Sequence, residues 1–226
     1  MREYLPWHRN AFDHSIIADM DGWLSGKEAD ALCRLAQTCT AEGAIVEIGS
    51  WKGKSTVCLV TGSRRGKKNP IYAIDPHTGS SEHGDVHTFD EFTANIRRKG
   101  ATDMVTPIVA RSQDVAKEWN KPVALLWIDG AHEYEYVLQD YLLWEPHLVE
   151  GGVIAFHDST MPGPWKVTAD HLYRGSKFRN IGFVHGITYA TKGKVTPMRN
   201  RGMLLLRNLV YALWKCKHFL STKERS

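Results

Sequence analysis

Short apolar runs and longer amphipathic stretches alternate along most of the chain. Five apolar runs have the length and composition of buried strands, and they lie at 44–48, 70–74, 105–110, 123–128 and 152–156. Apolar positions three and four residues apart predict helices at 25–41, 55–63, 89–99, 113–119 and 134–145. Ser25 and Glu28 have the spacing of a capping box at the start of the first helix. Strands that alternate with helices predict a parallel sheet covered on both faces.

A different pattern follows the fifth apolar run. The segment "FRNIGFVHGITYATKG" predicts two more strands, which bring the sheet to seven. From residue 193 onward, leucines at helical spacing are mixed with many lysines and arginines. We therefore predict an irregular arm at 1–24, an α/β domain at 25–192 and a basic amphipathic extension at 193–226.

Composition narrows the class of protein. With 226 residues, of which 42% are hydrophobic, the chain can bury a sizeable core, and it has no apolar segment long enough to span a bilayer. The start, "MREYLPWHRNAFDHS", carries charge throughout, unlike a secretory signal. The cysteines fit neither a metal knuckle nor a disulfide framework; they are Cys33, Cys39, Cys58 and Cys216. These features predict a cytoplasmic protein with reduced thiols.

The basic cluster at 64–68 has no interleaved aromatic residues, so we expect no nucleic-acid partner.

Acidic residues occur where four of the predicted strands end. They are Glu47, Asp75, Asp129 and Asp158. The carboxyl ends of parallel strands meet at one edge of a sheet, where such folds bind ligands. The sequence therefore predicts a functional site at this edge.

The turn after the first strand, "VEIGSWKGKST", indicates what the site binds. It lacks the lysine and spacing of a Walker phosphate loop and the second glycine of the dinucleotide fingerprint. An acid beside the turn favours a cationic nucleoside without phosphate, and S-adenosylmethionine has an ammonium, a sulfonium and a ribose diol. We expect Glu47 at the methionine end, Asp75 on the ribose, and Arg111 with Ser112 beside the adenine. The full set predicted to bind this cofactor is Glu47, Gly49, Ser50, Gly53, Ser55, Asp75, Arg111, Ser112 and Asp129.

The segments "VEIGSWKGKST", "IYAIDP" and "LLWIDGAHEYEYVLQDYLLWEPHLVEGGVIAFHDS" together resemble class I S-adenosylmethionine-dependent methyltransferases over residues 22–159. Within this class the chain is similar to bacterial small-molecule and sugar O-methyltransferases related to macrocin O-methyltransferase. The resemblance implies a Rossmann-like α/β fold, with a mostly parallel seven-stranded sheet flanked by helices and closed by an antiparallel pair of strands. It also implies methyl transfer to a hydroxyl of a sugar or another small polyhydroxylated metabolite or glycan.

Catechol-type O-methyltransferases, which look like relatives, bind magnesium and use a lysine as the base that accepts the hydroxyl proton. The matching metal positions are Asp129, Asp158 and Ser159, where a hydroxyl replaces an amide. The lysine position is His132, which we predict as the general base, with His157 as the substitute candidate. Asp129 is the second predicted catalytic residue. Two alternatives stay open, in which Asp158 only caps its turn and His132 only fixes its loop.

Three further interpretations concern the segments around the site. The stretch "DPHTGSSEHGDVHTFDEF" predicts a mobile lid over the acceptor, with His77, His83 and His87 as hydrogen-bonding groups, in preference to a zinc site. Trp51 and Trp165 are candidates for stacking on a sugar ring. The basic extension either lies on an anionic membrane or docks on the core or on a second subunit, which would make a homodimer.

Two other functions are weighed against the methyltransferase. A nicotinamide oxidoreductase is disfavoured by the missing fingerprint. A nucleoside-binding module without turnover is disfavoured by His132, Asp129 and Asp158, because binding alone needs no acids that face the acceptor.

Overall fold

The computed structural model describes residues 12–80, 84–195 and 197–223. Seven strands form one sheet in the order β5-β2-β1-β6-β7-β9-β8. Their bounds are β1 Ala44–Ile48, β2 Ile71–Ile74, β5 Val105–Ile108, β6 Val123–Ile128, β7 Leu148–Phe156, β8 Phe178–Val184 and β9 Ile187–Lys192. The first five of these pair in parallel, and β9 joins β7 and β8 in antiparallel fashion. The predicted Rossmann-like sheet is confirmed.

The remaining elements surround this sheet or lie beside it. A small separate hairpin is formed by β3 Gly79–Ser80 and β4 Gly84–Asp85. The α-helices are α1 Gly26–Thr38, α2 Lys54–Arg65, α3 Phe89–Arg98, α4 Ser112–Glu118, α5 Tyr134–Trp144, α6 Pro162–Val167 and α7 Pro197–Lys223. Short 3-10 turns lie at His14–Ile16 and Glu145–His147, and a π-helical turn lies at Thr168–Tyr173. No helix within the described residues is both long and apolar enough to cross a membrane.

Strand β7 is longer than predicted. The predicted strand began at Gly152, the second of two adjacent glycines, whereas β7 begins at Leu148. Its pairing with β6 shifts register, so that Val123 lies opposite Leu148 and Leu125 opposite Val153. Gly151, with φ of 79°, lies in this irregularity, so the glycines bend the strand without ending it.

The core extends beyond both ends of the predicted domain. Apolar side chains fill the space on each face of the sheet, including the fully buried Trp127 and Trp144. Phe12, from the predicted arm, packs into one cluster, and Leu204, from the predicted extension, packs into the other. Both flanking segments therefore contribute to the folded unit.

The strand register brings the site residues to one edge. Ile48, the last residue of β1, lies opposite Ile74 and Ile128, and Ile128 lies opposite Phe156. The parallel ladder continues one step further, because Asp129 N donates to Ile48 O and His157 N donates to Ile128 O. The residues that follow four neighbouring strands therefore meet at the carboxyl edge.

Candidate active site

A cavity of about 680 Å³ opens at this edge. That volume suits a small-molecule ligand. The predicted site residues that line it are Gly49, Ser50, Ser55, Asp75, Arg111, Ser112, Asp129, His132 and Asp158. Glu47, Gly53 and Ser159 are not among the lining residues.

The turn between β1 and α2 depends on its two glycines. Gly49 has φ of 83°, and a Cβ there would lie 2.1 Å from the carbonyl oxygen of Asp129. Gly53 has φ of 88° and caps α2, and a Cβ there would lie 3.2 Å from the Phe92 ring. Gly49 thus lets two strand ends approach each other, while Gly53 lets the helix begin.

Ser50 lines the same cavity. Its hydroxyl is buried, and among the described residues it has no hydrogen-bond partner. A buried polar atom without a partner is costly, so its position beside the cavity fits a ligand that supplies one.

Asp75 is fixed by backbone groups. Its Oδ2 accepts hydrogen bonds from the N–H groups of Ser50 (2.9 Å) and Trp51 (2.8 Å), and its Oδ1 accepts one from His77 N (2.6 Å). A carboxylate has about four acceptor positions, so capacity for one further hydrogen bond, such as one from a ribose hydroxyl, remains. Its assignment to the ribose stays a prediction.

Glu47 does not reach the cavity, contrary to the expectation that it serves the methionine end. Its side chain is fully buried, and its two oxygens accept hydrogen bonds of 2.5 Å from the hydroxyls of Ser55 and Thr56. Burial raises the pKa of Glu47 to about 8, against the lowering effect of these two hydrogen bonds. Glu47 therefore holds the start of α2 on the buried side of the site. At pH 7 it is mostly the neutral acid, in which one of the two oxygens carries the proton of its short hydrogen bond.

Asp140 is a cavity residue that sequence reasoning missed. It lies on α5, and its Oδ1 accepts a short hydrogen bond from the Ser112 hydroxyl at the start of α4. Burial raises the pKa of Asp140 to about 6. The available signal was an acidic residue on the helical face that also carries Val137 and Trp144. Ser112 and Asp140 together form a polar patch on the side of the cavity where Arg111 also lies.

Three side chains form a cluster with the composition of a metal site. One donor atom each from Asp129, His132 and Asp158 lies within 4.8 Å of the others. His132 Nε2 lies 3.2 Å from Asp158 Oδ2. Burial raises the pKa of Asp129, whereas hydrogen bonds from His132 and His157 outweigh burial and lower the pKa of Asp158 well below its usual range.

The buried His157 contacts two members of this cluster. Its Nδ1 lies 3.0 Å from Asp129 Oδ1 and 3.2 Å from Asp158 Oδ2, and its Nε2 lies 3.6 Å from Glu28 Oε1. Burial lowers the pKa of His157, but the three carboxylates outweigh burial and raise it well above its ordinary value. An imidazolium thus bridges the two carboxylates, and Glu28 ties it to α1. His157 is only 5% exposed. It is therefore better suited to position Asp129 and Asp158 than to act as the substitute base.

Ser159 is placed differently from the predicted metal set. Its side chain is fully buried, and its hydroxyl donates to Gly186 O and lies 2.7 Å from the Thr188 hydroxyl. The guanidinium of Arg207 donates to the Ser159 carbonyl. A neighbouring cation disfavours a divalent ion here, and the structure places His132 beside the two carboxylates instead.

The aromatic wall of the cavity also differs from expectation. Trp51 lines the cavity, and its ring centroid lies 5.4 Å from that of Trp23, another lining residue. Trp165 is not a lining residue and packs against the Arg207 guanidinium at 5.3 Å. Trp23 was missed because the segment before residue 25 has no regular pattern.

The predicted lid is only partly described. Thr78 and Gly79, where the β3–β4 hairpin begins, line the cavity. His77 is 2% exposed, and its Nδ1 lies 2.8 Å from the Thr88 hydroxyl, so it packs inside and does not face an acceptor. His83 lies outside the described residues.

Comparison with known proteins places the chain in a family. The sequence matches the methyltransferase domain family over residues 46–159, half of its length. The chain belongs to this family. The resemblance to class I S-adenosylmethionine-dependent methyltransferases is thereby confirmed, and the fold agrees with it.

Solved structures share the fold of this methyltransferase at low sequence identity. The O-methyltransferase NovP has a TM-score of 0.62 and 16% identity, over 75% of this chain and 81% of NovP. A protein of Corynebacterium glutamicum has a TM-score of 0.62 and 18% identity, over 82% of this chain and 92% of its own. CalS11, a TDP-rhamnose 3'-O-methyltransferase of calicheamicin biosynthesis, has a TM-score of 0.53 and 17% identity, over 74% and 77%.

Proposed function

We propose that the protein is an O-methyltransferase that methylates a hydroxyl of a sugar or of another small polyhydroxylated metabolite, with S-adenosylmethionine as donor. The observation that carries the proposal is the His132–Asp158 pair in a cavity next to the glycine turn. NovP and CalS11 are O-methyltransferases of the same fold, and CalS11 acts on a sugar. This similarity supports an oxygen acceptor.

The residues around the cavity suit the methyl donor. Gly49 and Ser50 would hold the methionine end, Asp75 the ribose, and Ser112 with Asp140 the adenine. When bound, S-adenosylmethionine supplies an electrophilic methyl group, and the protein aligns an acceptor with it. The close approach at Gly49 and the unpartnered Ser50 hydroxyl fit such a ligand.

His132 is the proposed general base. With its proton on Nε2, which faces Asp158, the ring can take the acceptor's hydroxyl proton on Nδ1. The carboxylate of Asp158 then stabilises the imidazolium that forms, as the acid does in a catalytic triad.

A divalent ion is an alternative occupant of the same three side chains. Two carboxylates and an imidazole fit a divalent ion, and the nitrogen donor favours manganese or a later transition metal over magnesium. Such an ion would lower the pKa of the acceptor hydroxyl. If His132 ligates it through Nε2, His132 is a ligand and another group must take the proton. Activity after EDTA treatment and after restoration of Mg²⁺ or Mn²⁺ distinguishes these two versions.

The acceptor is expected to stack against the aromatic wall. Trp23 and Trp51 present two indole rings at the cavity, and such rings bind the apolar face of a sugar. We propose this pair, rather than Trp165, as the platform.

The test is methyl transfer to a panel of sugars and nucleotide sugars, followed by mass spectrometry, together with calorimetric titration of S-adenosylmethionine. For His132→Ala we expect kcat to fall about 10²- to 10⁴-fold, the usual worth of a general base, with donor affinity kept. His14→Ala is the control, because His14 is half-exposed and lies outside the cavity lining. Full activity of His132→Ala would disprove the base assignment. Donor binding without transfer to any acceptor would favour the binding module.

A further inference from the structure

Helix α7 is held to the protein by one of its faces. Asn200, Leu204 and Arg207 are buried, at 2%, 8% and 5% exposure. Asn200 Nδ2 donates to Phe178 O at 2.7 Å, and the Arg207 guanidinium lies over the rings of Trp165 and Tyr173. These contacts fix the rotation of the helix about its axis. They also show that the first half of the predicted extension docks on the core.

The opposite face of α7 carries a row of exposed apolar side chains. We call this row the outer stripe; it consists of Met198, Leu205, Leu206, Leu209 and Leu213, which are 81%, 71%, 39%, 56% and 57% exposed. With helical geometry of 3.6 residues per turn, these positions fall within an arc about 100° wide, centred opposite the buried residues. Only four other large apolar side chains in the described part of the chain are comparably exposed, and they are scattered. A contiguous exposed stripe of this kind marks an interaction surface.

The charge of α7 indicates what the stripe contacts. Residues 197–223 contain no aspartate or glutamate, and their basic residues are Arg199, Arg201, Arg207, Lys215, Lys217 and Lys223. A second copy of the chain on this face would bring two sets of cations together, with no acid on either helix to pair with them. An anionic surface has no such conflict.

We propose that the outer stripe binds the surface of an anionic lipid bilayer, with α7 lying in the interfacial plane. Its leucines would enter the boundary between headgroups and acyl chains, and the exposed Arg201 would lie near the acidic headgroups, whereas Arg207 stays buried against the core. The proposal is independent of the acceptor, because it rests only on α7 and on the face by which α7 docks.

The experiment is flotation of the full chain with vesicles of phosphatidylcholine alone or of phosphatidylcholine mixed with phosphatidylglycerol. We expect binding to the mixed vesicles only, weakened by high salt. Leu209→Glu should weaken this binding at least about tenfold. A leucine that enters the bilayer would be replaced by a negative charge that the acidic headgroups repel. Leu142→Glu is the matched control: Leu142 is 55% exposed, on α5, and undergoes the same change of charge away from the stripe.

Absence of binding to the mixed vesicles would overturn the proposal, as would an equal loss in both variants. Analytical ultracentrifugation tests the alternative that a second copy of the chain occupies the outer stripe. A dimer that Leu209→Glu dissociates, together with an absence of vesicle binding, would assign the stripe to that second copy. Circular dichroism of both variants confirms that they are folded, and Leu205→Glu repeats the test at the most exposed leucine of the stripe.

Discussion

Glu47 illustrates how one buried side chain can have a structural role in a functional motif. It belongs to the turn motif of the site. Yet its carboxyl group forms hydrogen bonds with the hydroxyls of Ser55 and Thr56 and does not reach the cavity. Because its pKa is raised to about 8, it is protonated at neutral pH. A neutral amide should therefore replace it more easily than an apolar residue does.

We expect Glu47→Gln to change the free energy of unfolding at pH 7 by about 1 kcal/mol or less, since an amide also accepts and donates hydrogen bonds. Glu47→Ala should cost roughly 2–4 kcal/mol, because it leaves two buried hydroxyls unpaired and a cavity. The measurement is urea unfolding of both variants.

The pH dependence of the same experiment tests the pKa itself. Glu47 binds a proton more tightly in the folded than in the unfolded protein, so its contribution to stability is complete at low pH. That contribution falls as the pH rises from the ordinary glutamate value through about 8. The wild type should therefore lose stability across this window, and Glu47→Gln should lose less. Parallel pH curves would show that Glu47 is ionised in the folded state.

At the scale of elements, the loops between strands and helices depend on close contacts between backbones. Gly49 and Gly100 both have positive φ, but a Cβ at Gly49 would meet the Asp129 carbonyl, whereas a Cβ at Gly100 would meet nothing within 4 Å. Alanine substitutions at these two positions therefore separate the cost of a steric clash from the cost of the positive φ.

We expect Gly100→Ala to cost about 1 kcal/mol, which is the cost of the left-handed conformation alone. Gly49→Ala should cost roughly 2–4 kcal/mol and should also weaken S-adenosylmethionine binding, because β1 and β6 must move apart at the cavity. Thermal unfolding and calorimetric titration measure the two effects. Equal costs for both variants would mean that the contact with Asp129 is unimportant.

At the scale of the whole molecule, local pattern predicted the sheet and its active edge. Buried strands such as 123–128 are apolar throughout, and the acids that follow them lie where a parallel sheet must bring them. What the pattern could not predict are contacts between residues far apart in sequence. Examples are the Ser112–Asp140 hydrogen bond and the proximity of Trp23 to Trp51.

Ser159 shows a second limit of sequence pattern. It follows Asp158 directly, and the two were predicted to act together. Asp158 adopts a left-handed conformation with φ of 42°, and after this turn the Ser159 hydroxyl is directed to Gly186 and Thr188. Adjacent positions thus face a cavity and a packed interior, which only the backbone geometry reveals.

The contact between Arg207 and the Ser159 carbonyl bears on how the molecule can be shortened. A fragment that ends after Lys192 would keep all seven strands, and sequence pattern alone suggests that boundary. It would lack the guanidinium that steadies the backbone beside Asp158, and it would expose Trp165 and Tyr173. An inactive truncated protein would then reflect a loosened loop, and its inactivity would say nothing about whether the C-terminal helix takes part in substrate selection.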